Sequence, residues 1–526
     1  MGSLDVIAVG AGLTLLAFGL RVLVHAGASP SGVDTWYYLA SADFLRRARR
    51  FPIRLPRYLL QDPAESYAPG FPLLLALLPA RFVRTSFWLI APAIDAAHLL
   101  FLYVLVYRLT EDLPTAALAG AIYALVPQLI AETRSLNPRT LGSLLASIAV
   151  VLILRFTLPE TDAASLRLGA TPLVVGALAV AATAALLLTQ SPTGGVALGI
   201  ATLTLSLVYG DPRYVAFTVA GVVAAFVLTG GFYRRVIENH LHAVRFWQRN
   251  IAYRDADQVL DSPVYREPDD ADRPRRGRRW RSIRWQFARL IGENPFVIPM
   301  ILTPPPSAEW WGGRMYWWAI AVLAWAVLTT AVPRLRVFGP GYIYLKSSVF
   351  PTAFSLAIAV GPRGLTFPID IAIALAALLS VAAIGFFVVY MRTRATERTS
   401  SAPPELARIT AVVAGLPRDG VLVLPNVYAD YVCYHSGKST LWGGHSGDLR
   451  RFEQFAPVLR KPVEDLVAEH GIAYVLLDLS YVTVGRLRLD EHVREIARDG
   501  AFALYELVVA SGADAGARSR VATSTT

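Results

Sequence analysis

The chain has 526 residues, 54% of them hydrophobic and 17% charged, with a formal net charge of +11. It is too apolar for a soluble protein of this length, and its apolar residues gather in blocks of roughly 18 to 25, long enough to cross about 30 Å of hydrocarbon. A single cysteine, Cys433, excludes an internal disulfide, and the positive charge rests on 47 arginines against three lysines, which suits contact with phosphate and membrane lipid headgroups or else reflects a GC-rich genome that spells basic residues as Arg.

In chain order, the first block, Leu4–Val24, has no basic residue ahead of it and reads as a retained membrane helix rather than a cleaved leader. Further spans are expected at Ser86–Tyr107, Pro114–Ala131, Leu141–Thr157, Ala170–Thr189, Gly194–Tyr209 and Tyr214–Gly231. Trp317–Val332, Tyr342–Val360 and Thr366–Tyr390 follow after a polar interval. Phe71–Pro79 is too short to cross, and Phe287–Leu302 is interrupted by Glu293, Asn294 and Pro295. The fold class expected is a polytopic α-helical membrane bundle of roughly ten to twelve spans over 1–391, followed by a soluble α/β domain.

Two polar loops break the bundle. Residues 26–70 carry Arg46, Arg47, Arg49 and Arg50 among apolar residues, as in a helix lying in the headgroup layer. Residues 232–286 are rich in Arg, Trp and Tyr, and Asp269–Arg284 reads as flexible. In the soluble domain, 392–511, strands are expected at Val421–Leu424, Tyr474–Leu477 and Ala503–Leu507. Helices are expected at Glu405–Ala414, Asp448–Leu459, Val463–His470 and Asp490–Asp499. The tail, 512–526, is expected to be disordered.

Three loop motifs carry candidate chemistry. Asp34 sits just after the first span, followed by Thr35, Trp36, Tyr37 and Tyr38. Interfacial aromatics would fix its depth, and the carboxylate would serve as a general base, as a ligand for a divalent cation, or simply as a helix N-cap. Glu65 and Tyr67 precede the rigid turn Pro69-Gly70-Phe71-Pro72 and are candidate substrate contacts. Between the third and fourth spans lie Glu132, Arg134, Asn137 and Arg139. The arginines would clamp a phosphate and Glu132 would supply a second carboxylate, unless the loop is a polar turn with an internal ion pair.

Asp34 in a large first loop, an acid-containing loop before the fourth span, and the intervening run Leu113–Gln128 resemble the GT-C glycosyltransferases: oligosaccharyltransferase catalytic subunits, protein mannosyltransferases and lipid A aminoarabinose transferases. The resemblance implies transfer of a sugar from a polyprenyl-phosphate donor to a glycan, lipid or protein acceptor at the extracytoplasmic face of a prokaryotic plasma membrane. It implies Asp34 as the leading catalytic residue, with Glu132 where the family often has Asp. It also implies Arg134 and Arg139 as carrier-phosphate ligands, and Mg or Mn at Asp34 and Glu132 if the reaction needs a metal. The Trp-Trp-Asp-Tyr-Gly motif of oligosaccharyltransferases is absent, although Asp430 and Tyr431 partly echo it. A lipid or sugar transporter, or a non-catalytic scaffold, are the rival readings.

Other signals are weaker. Asp95 and His98 share a helix face inside a span, as a buried pair or the wall of a donor cavity. His240 and His242 are candidate substrate contacts, paired as ligands only if their segment is extended. Gly437-Lys438-Ser439-Thr440 lacks the upstream glycine of a nucleotide loop, and nucleic acid is not an expected partner.

Overall fold

The computed structural model describes residues 3–23, 33–51, 53, 55, 57–60, 67–158, 171–190, 192–251, 276–307, 310–361, 368–394, 402–443 and 449–508. Glu65 and the expected tail lie outside them.

Helices α1 (Ser3–Leu23), α2 (Val33–Ala48), α3 (Gly70–Leu77), α4 (Ala80–Ser86), α5 (Ile90–Thr110), α6 (Leu113–Ala124), α7 (Pro127–Glu132) and α8 (Arg139–Thr157) form the N-terminal part of the bundle. They are followed by α9 (Pro172–Thr189), α10 (Thr193–Tyr209), α11 (Arg213–Leu228), α12 (Tyr233–Arg249), α13 (Arg276–Glu293), α14 (Val297–Leu302), α15 (Trp311–Ala331), α16 (Tyr342–Val360) and α17 (Ile369–Arg394). The protein is a multi-pass membrane protein. Among the described residues, six stretches are long and apolar enough to cross a bilayer: α1, Ala80–Thr110, α8, α9, α16 and α17. A seventh is added if α11 and α12, bent by 117°, count as one broken span. The sequence expectation of ten to twelve counted more. It joined α6 to α7, but Pro127 restarts the helix there, and it included α10, a helix of 17 residues.

The bundle has a tightly buried apolar centre and an exposed apolar rim. In α16, 83% of the most apolar stretch is buried, against 17% in α1 and α17. Trp311, Trp318, Tyr344, Phe350 and Phe354 fill the centre. α3 is a separate short helix, as its length required, and Gly70 lies so close to α9 that a Cβ there would meet the Leu188 carbonyl at 2.8 Å. The 232–286 loop is more regular than its composition suggested. α12 is amphipathic, burying Tyr233, Val236 and Phe246, and α13 covers Arg276–Glu293, part of the stretch expected to be flexible.

The C-terminal domain is a four-stranded sheet, β1 (Val421–Leu424), β2 (Tyr474–Asp478), β3 (Val493–Asp499) and β4 (Phe502–Leu507), in the order β1-β2-β4-β3. β1 and β2 are parallel and the other pairings are antiparallel. Strand alternation separates two cores. Val421, Val423, Tyr474 and Leu476 face α18 (Pro404–Ala414) and α19 (Ala429–Ser436), while Leu422, Leu424, Val475 and Leu477 face the other layer. The helix expected at Asp490–Asp499 is instead β3, because Gly500, at φ +56°, turns the chain into a hairpin that pairs Asp499 with Phe502. The helix expected over Asp448–Leu459 is reduced to α20 (Leu449–Phe452), after which Phe455 leaves to stack on Trp442 at 5.3 Å. The helix at Val463–His470, α21, forms as expected.

The first loop is built into this domain. Leu59 N–H donates to the Thr440 carbonyl at 3.0 Å, Leu60 N–H to Leu441 at 3.0 Å, and Thr440 N–H to Arg57 at 2.8 Å. Leu60 is fully buried in the domain's second core, so the first loop, the sheet and α2 share one face of the molecule.

Candidate active site

The site begins with how two loops are pinned together. α2 buries Tyr37, Tyr38 and Leu39 and presses Trp36 against Tyr431, Tyr434 and His435, with ring centroids 5.3, 5.5 and 4.6 Å away. Thr35, the next residue after Asp34, accepts the Leu136 N–H at 3.1 Å. That bond ties the start of α2 to the α7–α8 loop and brings Asp34, in the first turn of α2 where the helix dipole favours an anion, alongside Glu132. Asn137 closes the loop from inside. Its amide donates to the Ser135 hydroxyl at 2.7 Å and the Glu132 carbonyl at 3.3 Å, and its oxygen accepts the Arg139 N–H at 2.8 Å.

Arg139 joins the carboxylates. Its Nη1 lies 3.3 Å from both Glu132 oxygens, and its Nη2 lies 3.9 Å from Asp34 Oδ2. Lys346, near the start of α16, completes the cluster. It is 3% exposed, its charge acts on Glu132, Arg139 and Asp34, and its Nζ has no hydrogen-bond partner among the described residues. Burial pushes Glu132 up, but Lys346 and Arg139 outweigh it and hold the carboxyl below its ordinary value, as an anion. Burial raises the Tyr38 phenol well above its usual range, and Asp34 adds to this. At the edge, Arg289 pairs with Glu293 and its guanidinium lies 3.5 Å from the Tyr342 ring centroid. Burial pushes Glu293 up to about 7 against the pull of Arg289, and Glu132 pushes the same way.

The structure therefore brings together Asp34, Glu132 and Arg139, as the loop motifs suggested, and separates the rest. Arg134 turns toward α17, with its guanidinium 5.7 Å from the Phe387 ring centroid, and burial lowers it to about 10. Asn137 is fully buried with its amide committed to the loop, so it shapes the site rather than facing a substrate. Tyr67 packs edge-on against Tyr37 at 6.0 Å. His240 and His242 both lie on α12, a helix, so they point to different sides. His242 instead lines a cavity of about 270 Å³ with Arg245, Arg249 and Leu449, away from the elements that carry Asp34 and Glu132. Asp430 is buried and accepts the Tyr58 hydroxyl, and a Cβ on Gly443 would collide with both. The segment that echoes an acceptor-reading motif is spent here on docking the domain. Lys438 Nζ donates to the Leu416 carbonyl at 2.5 Å and Ser439 bonds Asp419, so that stretch is a turn rather than a phosphate loop.

Sequence reasoning missed Lys346 and treated Glu293 only as an interruption. The signal was present, since a lysine or glutamate inside an apolar stretch is itself a pointer to function. The Arg139 guanidinium lies between the two carboxylates that would hold a divalent cation, and no group of three His, Cys, Asp or Glu occurs among the described residues.

A helical membrane bundle, with Asp34 on the first loop beside Glu132 at the end of α7, is followed by a C-terminal sheet domain packed against the first loop, and the chain shares this fold with several solved membrane proteins. It is similar in structure to ArnT from Cupriavidus metallidurans in the apo state, with a TM-score of 0.59 and 13% identity over 96% of this chain and 98% of that one. It is similar to the same protein bound to undecaprenyl phosphate, at TM-score 0.58 and 13% identity over 97% and 99%. It also resembles the Archaeoglobus fulgidus oligosaccharyltransferase tethered with an acceptor peptide, at 0.54 and 12% identity over 93% of this chain and 71% of that one. No family model and no curated protein matches the chain. At these identities the likeness is one of fold.

Proposed function

We propose that the protein transfers a sugar from a polyprenyl-phosphate carrier to an acceptor hydroxyl or amide at the extracytoplasmic face. The observation that carries this reading is the convergence of Asp34, Glu132, Arg139 and Lys346 at one end of the bundle. The fold is that of ArnT, solved with undecaprenyl phosphate, and of an oligosaccharyltransferase solved with a dolichol-phosphate.

In the transfer the acceptor atom gives up its proton, bonds to the anomeric carbon and displaces the carrier phosphate, which leaves with the C–O electron pair. Asp34, at the start of α2, orients the acceptor and takes that proton. Glu132, held as an anion, fixes the fork of Arg139. Arg139 and Lys346 face the charge that grows on the departing phosphate, where a preorganised cation in a dry site acts most strongly. Glycan, lipid and protein acceptors all remain compatible with this chemistry.

The test is Asp34→Ala in purified protein whose melting matches the parent, assayed on labelled polyprenyl-phosphate sugars. Transfer should fall on the order of a hundredfold or more, as for loss of a general base. Undiminished transfer would refute the role of Asp34.

A further inference from the structure

We propose that Arg139 holds the place a divalent cation would take between Asp34 and Glu132, so that the reaction runs on protein cations alone and a metal site appears only when the guanidinium is removed. The inference rests on the transferase reading for its consequence, but not for its geometry.

Three observations support it. First, the fork of Arg139 lies between the two carboxylates, reaching both oxygens of Glu132 at 3.3 Å and Asp34 at 3.9 Å. An arginine stays protonated at any working pH, so it cannot make way by losing its charge. Second, the fork is not free to drift at its base, because the Arg139 N–H is held by Asn137 at 2.8 Å and the residue opens α8. Third, Lys346 brings a buried amine to the same cluster. Its Nζ is buried and lacks a hydrogen-bond partner among the described residues. A doubly charged ion placed between the carboxylates would face repulsion from the guanidinium, which already occupies that place. An anion brought to the same spot would satisfy the ammonium. The arrangement is therefore suited to a phosphate and unsuited to a metal.

Two carboxylates with a phosphate and water are a sufficient ligand set for Mg or Mn. Removing the guanidinium should thus expose a latent site. The experiment is Mn²⁺ binding by electron paramagnetic resonance on purified full-length protein, alongside transfer assayed in excess chelator. Wild type should show no Mn²⁺ uptake that depends on Asp34, and no loss of transfer in chelator. Arg139→Gln should gain Mn²⁺ uptake, and adding Asp34→Asn to it should abolish that gain. Mn²⁺ uptake by wild type that disappears in Asp34→Asn overturns the proposal, as does chelator-sensitive transfer restored by Mg or Mn. A folded Arg139→Gln protein that takes up no Mn²⁺ overturns the latent site. Should that variant fail to fold, the wild-type measurements decide alone. Should no carrier-linked sugar be turned over, the transferase reading fails while the Mn²⁺ titration still judges this one.

Discussion

Two clusters of buried charge lie in the same bundle and are finished differently. Inside the bundle, Arg21 on α1 meets Asp95 on α5 at 2.7 Å and donates to the Ala124 carbonyl at 2.6 Å. The Tyr123 hydroxyl donates to Asp95 at 2.9 Å and lies 2.9 Å from His98 Nδ1, and His98 Nε2 lies 2.8 Å from the Ser147 hydroxyl. A tyrosine that gives its proton to Asp95 must accept from Nδ1–H, which leaves Nε2 to accept from Ser147. Every member is thereby matched, and α1, α5, α6 and α8 are locked together. At the rim, Asp34, Glu132, Arg139 and Lys346 carry comparable charge, but the Lys346 ammonium is left without a hydrogen-bond partner among the described residues. The inner cluster is closed by its own hydrogen bonds, whereas the rim cluster keeps a buried donor that an incoming anion can satisfy.

That contrast can be broken by experiment. The largest effect is expected at Asp95→Ala. Removing one partner of a buried ion pair should cost about 3–5 kcal/mol, read as a lowered melting transition. An unshifted melt would mean the inner cluster is no lock. Next is the pH response of Glu293. Its folded value lies near 7, above the ordinary 4.5, so its contribution to stability is complete below pH 4.5 and is lost as pH rises through 7, by on the order of 2 kcal/mol. Wild type should melt lower at pH 8 than at pH 5, and Glu293→Gln should flatten that difference. An unchanged slope in the variant would remove Glu293 from the account. The smallest effect is expected at Lys346→Met. Its melting should hold or rise, since a buried charge disappears, while affinity for the lipid-phosphate donor falls about tenfold with the lost charged hydrogen bond. A sharp fall in stability with unchanged donor affinity would make Lys346 a second lock and erase the distinction.

Much of the site was legible because it is local. Glu132 and Arg139 lie on one short loop, and Asp34 stands beside aromatics that any interface would hold, so their chemistry could be read before their contacts were known. The roles of their neighbours were not legible. Asn137 and Arg134 sit in the same stretch as Glu132, yet one is consumed by the turn and the other swings to α17. Which way a polar side chain in a turn faces depends on the loop's closure, and composition does not record it. Asp95 and His98 looked like one pair. Their true connection runs through Tyr123, a residue on another helix.

The amino-acid sequence by itself determined that the chain crosses a membrane, where most apolar helices lie, that a sheet domain follows, and that two acidic loops are the chemical candidates. These are properties of hydropathy and short-range period, which act within a few turns of chain. The tertiary structure alone decided that Lys346 reaches Glu132 from more than two hundred residues away, and that Leu60 belongs to the core of the C-terminal domain. It also decided that a guanidinium, rather than open space, separates the two carboxylates. Such contacts depend on how distant helices pack against one another, and that register is set by the whole bundle rather than by any one segment.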